Sequence, residues 1–128
     1  MPALITNDIL VAVETAFQPD YSQPNSPENI FAYRITIRNN GRHTVQLLSR
    51  HWYIRDGASA LREVEGEGVV GQQPVIEPGE QHQYVSMCNL KNQVGKMWGS
   101  YLFVNTENGD HFEVEIPAFV MATPLVLN

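Results

Sequence analysis

The sequence predicts an all-β, antiparallel fold, and three observations carry that prediction. Apolar and polar residues alternate with a period of two, as in Phe31, Tyr33, Ile35 and Ile37 against Ala32, Arg34, Thr36 and Arg38. Turn signals recur at short intervals, at Asn39-Asn40-Gly41, Asp56-Gly57, Pro78-Gly79 and Asn108-Gly109. No stretch keeps the apolar period of an amphipathic helix over helix length, so parallel βαβ crossovers are excluded. The chain of 128 residues is long enough for a hydrophobic core and is expected to form one domain over 1–128.

Residues 1–8 read as a loose lead-in. A strand starts at Ile9, with Val11, Val13, Thr15 and Phe17 on one face and Leu10, Ala12, Glu14 and Ala16 on the other. Gln18 to Asn29 holds Pro19, Pro24 and Pro27 among small polar residues and reads as a surface loop. Ile30 to Asn39 is the clearest strand, one face apolar and the other wet. Thr44 to Asp56 follows, with Val45 and Leu47 assigned to one face and Leu48, Trp52 and Ile54 to the other. Apolar on both faces, it belongs at the centre of a sheet.

Leu61 to Glu65 is a short strand, and Val75-Ile76 a short apolar piece before the turn Glu77-Pro78-Gly79-Glu80. His82 to Leu90 sets Tyr84, Ser86 and Cys88 against Val85, Met87 and Asn89, and Lys91 to Lys96 is a loop. Met97 to Val104 pairs through the Asn108-Gly109 hairpin with His111 to Phe119, where Phe112, Val114 and Ile116 point in. The apolar tail VMATPLVLN finishes a last strand or packs on a neighbour. Seven to eight short strands, one with a Trp inside it, favour an immunoglobulin or fibronectin type III-like antiparallel β-sandwich. Cys88 is the sole cysteine, which removes the disulfide-bonded variety and any cysteine metal cage.

Charge and leader signals bound the function. The net charge of −6 disfavours nucleic acid, whose phosphates need neutralising, and suits a basic partner or simple solubility. The N-terminus lacks the basic start and apolar core of a secretory leader, and no apolar run has spanning length. A cytoplasmic protein without membrane insertion is expected.

Gly66-Glu67-Gly68-Val69-Val70-Gly71 matches the G-x-G-x-x-G dinucleotide pattern. That pattern works when a helix follows and presents its N-terminus to the pyrophosphate. Here Pro74, Pro78 and Gly79 follow instead, and Glu63, Glu65, Glu67, Glu77 and Glu80 crowd the loop. A structural β-loop is the expected role, and an anion nest at Gly66, Gly68 and Gly71 the alternative. Ser49, Arg50 and His51 stand in a row, with Ser49 and His51 on one strand face and Arg50 on the other. Nothing in the spacing supplies the remaining parts of a catalytic triad. Trp52 and Trp98 read as core, and Cys88 as a small buried hydrophobe. His111, Glu113 and Glu115 alternate along one strand, about 6.6 Å apart on one face. They are candidate ligands for a borderline divalent metal, against the simpler reading of a solvated outer face.

Several segments together resemble the ApaG family: FAYRITI from Phe31, VQLLSRHW from Val45, VEGEGVVGQQP from Val64 and FEVEIPAF from Phe112, with Pro78-Gly79-Glu80 and Gly99-Ser100-Tyr101. The resemblance covers about Ile9 to Pro124. It implies a fibronectin type III-like sandwich, a bacterial protein of poorly defined biochemical role, and a genetic link to cobalt resistance and magnesium efflux. Related domains in eukaryotic proteins are supposed to bind proteins. The family's glycine motif, here Gly66, Gly68 and Gly71, has been discussed as a pyrophosphate loop.

The expected function is a non-enzymatic binding module with a protein partner and no cofactor. Its surface joins Arg50 and Glu67 to the Gln18–Asn29 loop, and a homo-oligomer is compatible with it. Nucleotide binding at Gly66 to Gly71 and direct divalent metal binding are the alternatives.

Overall fold

The structure, a computed structural model, describes residues 1–21 and 28–124. Among these, nine strands follow one another: β1 Ala3–Thr6, β2 Ile9–Phe17, β3 Asn29–Asn39, β4 Val45–Asp56, β5 Leu61–Glu67, β6 Val75–Ile76, β7 Gln81–Leu90, β8 Val94–Asn105 and β9 His111–Ala122. They form two antiparallel sheets, ordered β1-β2-β3-β7 and β5-β4-β8-β9, with β6 also on β4. The predicted sandwich is therefore the fold, with β4 inside its sheet between β5 and β8.

Two expectations are corrected. The first residues are not a lead-in: Ala3–Thr6 pairs with β2 through a tight turn in which Asn7 and Asp8 take φ of 49° and 65°. Asn and Asp tolerate that region because their short polar side chains bond locally. The face assignment in β4 also changes. Val45, Leu47, Trp52, Ile54 and Asp56 are all buried. Leu47 pairs with Phe103 but Ser49 with Leu102, so Leu48 is an extra residue, a β-bulge. The bulge flips the alternation, and strict period-two reading fails beyond it. A second bulge falls between Met97↔Phe119 and Gly99↔Ile116 and accommodates Pro117, which has no N–H to give a ladder.

The inward faces meet around Trp52, which contacts Tyr33, Phe119 and Tyr101 edge-on at centroid distances of 5.6, 5.9 and 6.4 Å. Such edge-to-face contacts add to the burial of large rings. Tyr84 of β7 and Tyr101 of β8 join the two sheets through their hydroxyls. Burial pushes the pKa of both phenols up. On one side β1 and β2 pack on β9. On the other, Arg62 Nη2 reaches Asn89 O at 2.9 Å and ties β5 to β7. The apolar tail finishes β9 as far as Ala122. Residues 125–128, and 22–27 of the expected Gln18–Asn29 loop, lie outside the described residues.

Asp56 locks the end of β4. Its carboxylate accepts from Lys91 N at 2.7 Å, Asn92 N at 2.9 Å and Asn92 Nδ2 at 2.9 Å. Burial raises its pKa, but these bonds and the Arg62 charge outweigh burial and hold it below the ordinary 3.8. A depressed folded-state pKa contributes stability above the unfolded value and loses it as pH falls through the folded one. Asp56→Ala is therefore expected to lower the urea midpoint at neutral pH. The gap to wild type should close below about pH 4, as the wild-type carboxyl protonates. A gap independent of pH would show that the carboxylate charge is not the source of the stability.

Candidate functional site

The glycine motif is an excursion from the edge of the second sheet. Ser49 to Arg55 of β4 pair with β5, and Val45 and Gln46 pair with β6. β5 and β6 thus continue one edge, and residues 68–74 loop out between them, opposite the Leu48 bulge. Gly68 N donates to Leu48 O at 2.8 Å and Gln73 Nε2 to the same oxygen at 2.9 Å. Leu47 N donates to Pro74 O at 3.0 Å. Val69 is 1% exposed and plugs the core, while Val69 and Gln72 bond each other in both directions around Val70 and Gly71. Val70 and Gly71 have φ of 48° and 74°, the signature of a type I′ turn, with a β-branched residue in a conformation it disfavours.

Arg50 holds the loop from inside. The bulge turns it to the inner side, where its guanidinium lies across Gly66. A Cβ on Gly66 would meet Arg50 Nη1 at 2.7 Å. Nη1 donates to Glu67 O and Gly68 O, both at 3.0 Å. The Arg50 charge also lowers the pKa of Tyr33, Tyr84 and Tyr101, against the larger upward effect of burial. Gly68 has φ of 63°, and a Cβ there would meet Gln72 O at 2.3 Å. No helix follows the motif; Val75–Ile76 is a strand. An anion at Gly66, Gly68 and Gly71 would compete with the bonds already held by the N–H groups of Gly68, Val69 and Gln72.

The outer face of the same sheet carries the acidic residues. Register places Glu65, His51, Ser100 and Glu115 in one row, and Glu67, Ser49, Leu102 and Glu113 in the next. A cleft of about 430 Å³ lies over them, floored by Ser49, Ser100 and Leu102 and walled by Glu65, Glu67 and Glu113. His111, Glu113 and Glu115 all project from the exposed face of β9, as their alternation predicts. Among the described residues, the ligand atoms that converge to within 4.8 Å belong to another set: His51, Glu63 and Glu65. His51 stacks on Tyr53 at 4.6 Å, and Tyr53 on Trp98 at 5.8 Å. Trp52 is 3% exposed, whereas Trp98 lies half-buried on the outer face with Lys96 Nζ 5.7 Å from its ring. Cys88 is buried, and burial raises the pKa of its thiol.

The His51 cluster escaped sequence reasoning because its members are far apart in the chain. Glu63, Glu65 and Glu67 alternate along β5 and so share a face. Which residue of β4 lies opposite them depends on the register, and no pattern in the sequence states it.

The sequence signature of the ApaG domain matches residues 19–105. The chain is 50% identical over 112 residues to a protein ApaG of Dechloromonas aromatica, covering 88% of this chain and 87% of that one. It is 48% identical over 120 residues to a protein ApaG of Nitrosomonas europaea, covering 94% of each. The crystal structure of an ApaA protein from Bordetella pertussis superposes with a TM-score of 0.87 at 44% identity, covering 96% of each chain.

The loop geometry separates two costs. Ala at Gly71 would face φ of 74° with no atom within 4 Å, so it bears the left-handed penalty of about 1 kcal/mol. Ala at Gly68 bears the same penalty plus the collision with Gln72 O. Gly68→Ala should therefore melt below Gly71→Ala, and both below wild type. Arg50→Ala frees two carbonyls and should speed amide exchange from Gly66 to Gln72 ahead of the rest of the sheet. Equal melting of the two glycine variants would show that the Gln72 contact carries no weight.

Proposed function

The chain belongs to the ApaG domain family, and from that premise we propose that it is a non-enzymatic module that binds another protein through the outer face of its second sheet. The observation that supports this most directly is the cleft there, floored by Ser49, Ser100 and Leu102 and walled by glutamates from β5 and β9. Apolar and small side chains on the floor give a docking segment something to pack on. Acidic walls select a basic segment and repel nucleic-acid phosphates. His51 turns its two ring nitrogens toward Glu65 and Glu63, so it is not arranged as a base for Ser49. Glu67 stands at the rim with its side chain exposed, and Arg50 supports it from beneath through the Glu67 carbonyl. On this reading the family's genetic link to cobalt resistance and magnesium efflux runs through the partner.

Charge reversal tests the reading. Immobilised wild-type chain should retain a partner from a bacterial lysate at low ionic strength and release it as salt rises, since exposed charges are screened beyond about 10 Å at 0.1 M. Glu67→Lys, Glu113→Lys and Glu115→Lys combined should abolish retention without lowering the melting temperature. If the triple variant holds the same protein equally well, the acidic face is not the binding surface.

A further inference from the structure

We propose that His51 and Glu63 form a binding site for a borderline divalent cation such as Zn²⁺ or Ni²⁺, with Glu65 orienting the histidine. The site borders the proposed partner cleft at His51 and Glu65 but uses none of the residues reversed in that test. Three observations converge on it.

The first is the pairing of nitrogens with oxygens. His51 Nδ1 lies 3.0 Å from Glu65 Oε1, and Nε2 lies 3.4 Å from Glu63 Oε2. A neutral imidazole has one N–H and one lone pair. With the N–H on Nδ1, the nitrogen nearer its carboxylate, the lone pair of Nε2 faces the lone pairs of Glu63. A cation between them turns a repulsion into two bonds.

The second is the state of Nε2. The atom exposes less than 1 Å², in a side chain that is 29% exposed, and has no hydrogen-bond partner among the described residues. Its separation from Glu63 Oε2 falls within ion-pair reach but lacks hydrogen-bond geometry, so the nitrogen is left unsatisfied among the described residues. Unsatisfied buried nitrogens are uncommon and call for an occupant.

The third is the spacing itself. Two ligands bonded to one ion at about 2.1 Å, at a tetrahedral angle, stand about 3.4 Å apart. The Nε2 to Oε2 distance has that value. Glu65 then occupies the position of the carboxylate that fixes tautomer and ring orientation in carboxylate–histidine–metal arrangements. The ring is further held by its stack on Tyr53. One imidazole and one carboxylate suit a borderline ion better than Mg²⁺, which prefers oxygen throughout. Water and the second carboxylate oxygens complete the coordination, so the site is open on its solvent side.

Calorimetric titration of the full chain with Zn²⁺ tests the assignment, using Mg²⁺ as comparator. Wild type should bind one Zn²⁺ saturably. Glu63→Gln and His51→Gln should each weaken binding by more than tenfold, and Glu65→Gln by about tenfold, the usual loss on removing an orienting partner. Glu113→Gln should leave it unchanged. A second readout avoids dependence on variant folding: in wild type, Zn²⁺ should shift the ¹⁵N resonance of His51 Nε2 far more than that of Nδ1. Any of three results overturns the proposal: no Zn²⁺ binding at submillimolar concentration, equal losses in Glu63→Gln and Glu113→Gln, or Mg²⁺ binding as tight as Zn²⁺.

Discussion

One extra residue in the central strand sets much of what this sheet can do. The carbonyl of Leu48, pushed out of the β4–β8 ladder, is taken up by Gly68 N and Gln73 Nε2. A buried carbonyl must find donors, and here the donors come from a loop that has left the sheet edge. The bulge and the glycine excursion are thus two halves of one irregularity: an unpaired oxygen on β4 and the backbone that returns to satisfy it. From this follow the inward turn of Arg50 and the outward display of Ser49, His51 and Tyr53. Without the bulge, the alternation that buries Val45 and Leu47 would send Trp52 to the solvent face.

That coupling explains what could be read from the sequence. Strand positions, the central place of β4, the buried Trp52 and the absence of a helix after the glycines follow from local patterning, where each residue's neighbours decide. The three glycines of the motif also break a fingerprint reading, because each answers to a different constraint. Gly66 leaves room for the Arg50 guanidinium, Gly68 for the Gln72 carbonyl, and Gly71 completes a tight turn. What local patterning did not reveal depends on partners distant in sequence. Ala3–Thr6 is short and its register lies entirely in its pairing with β2. Leu48 looks like any apolar strand residue, and only the partner strand shows it to be surplus.

The two sides of the second sheet divide the chemistry. Inside, Arg50 sits near the phenols of Tyr33, Tyr84 and Tyr101, whose pKa values burial raises, so the guanidinium meets neutral hydroxyls and backbone carbonyls. Its charge is not cancelled by a carboxylate among the described residues, and its hydrogen bonds go to holding the loop. Outside, the carboxylates of β5 and β9 gather with few cations among them. Like charges on adjacent strands repel, and a face of this kind costs stability unless something of opposite charge sits on it.

His51 lies where these two tendencies meet. It is the middle of the Glu65–His51–Ser100 row, and Glu63 approaches from the neighbouring row, so its ring lies within reach of two of the glutamates. Its placement depends on the bulge, because an unbulged β4 would put residue 51 on the other face of the sheet. The same surplus residue that creates the glycine loop therefore also seats the histidine between its carboxylates. The acidic cleft, the loop and the His51 cluster are not three separate features added to a sandwich. They are the two faces and the edge of one β4 segment, Leu48 to Tyr53, whose alternation was reset once.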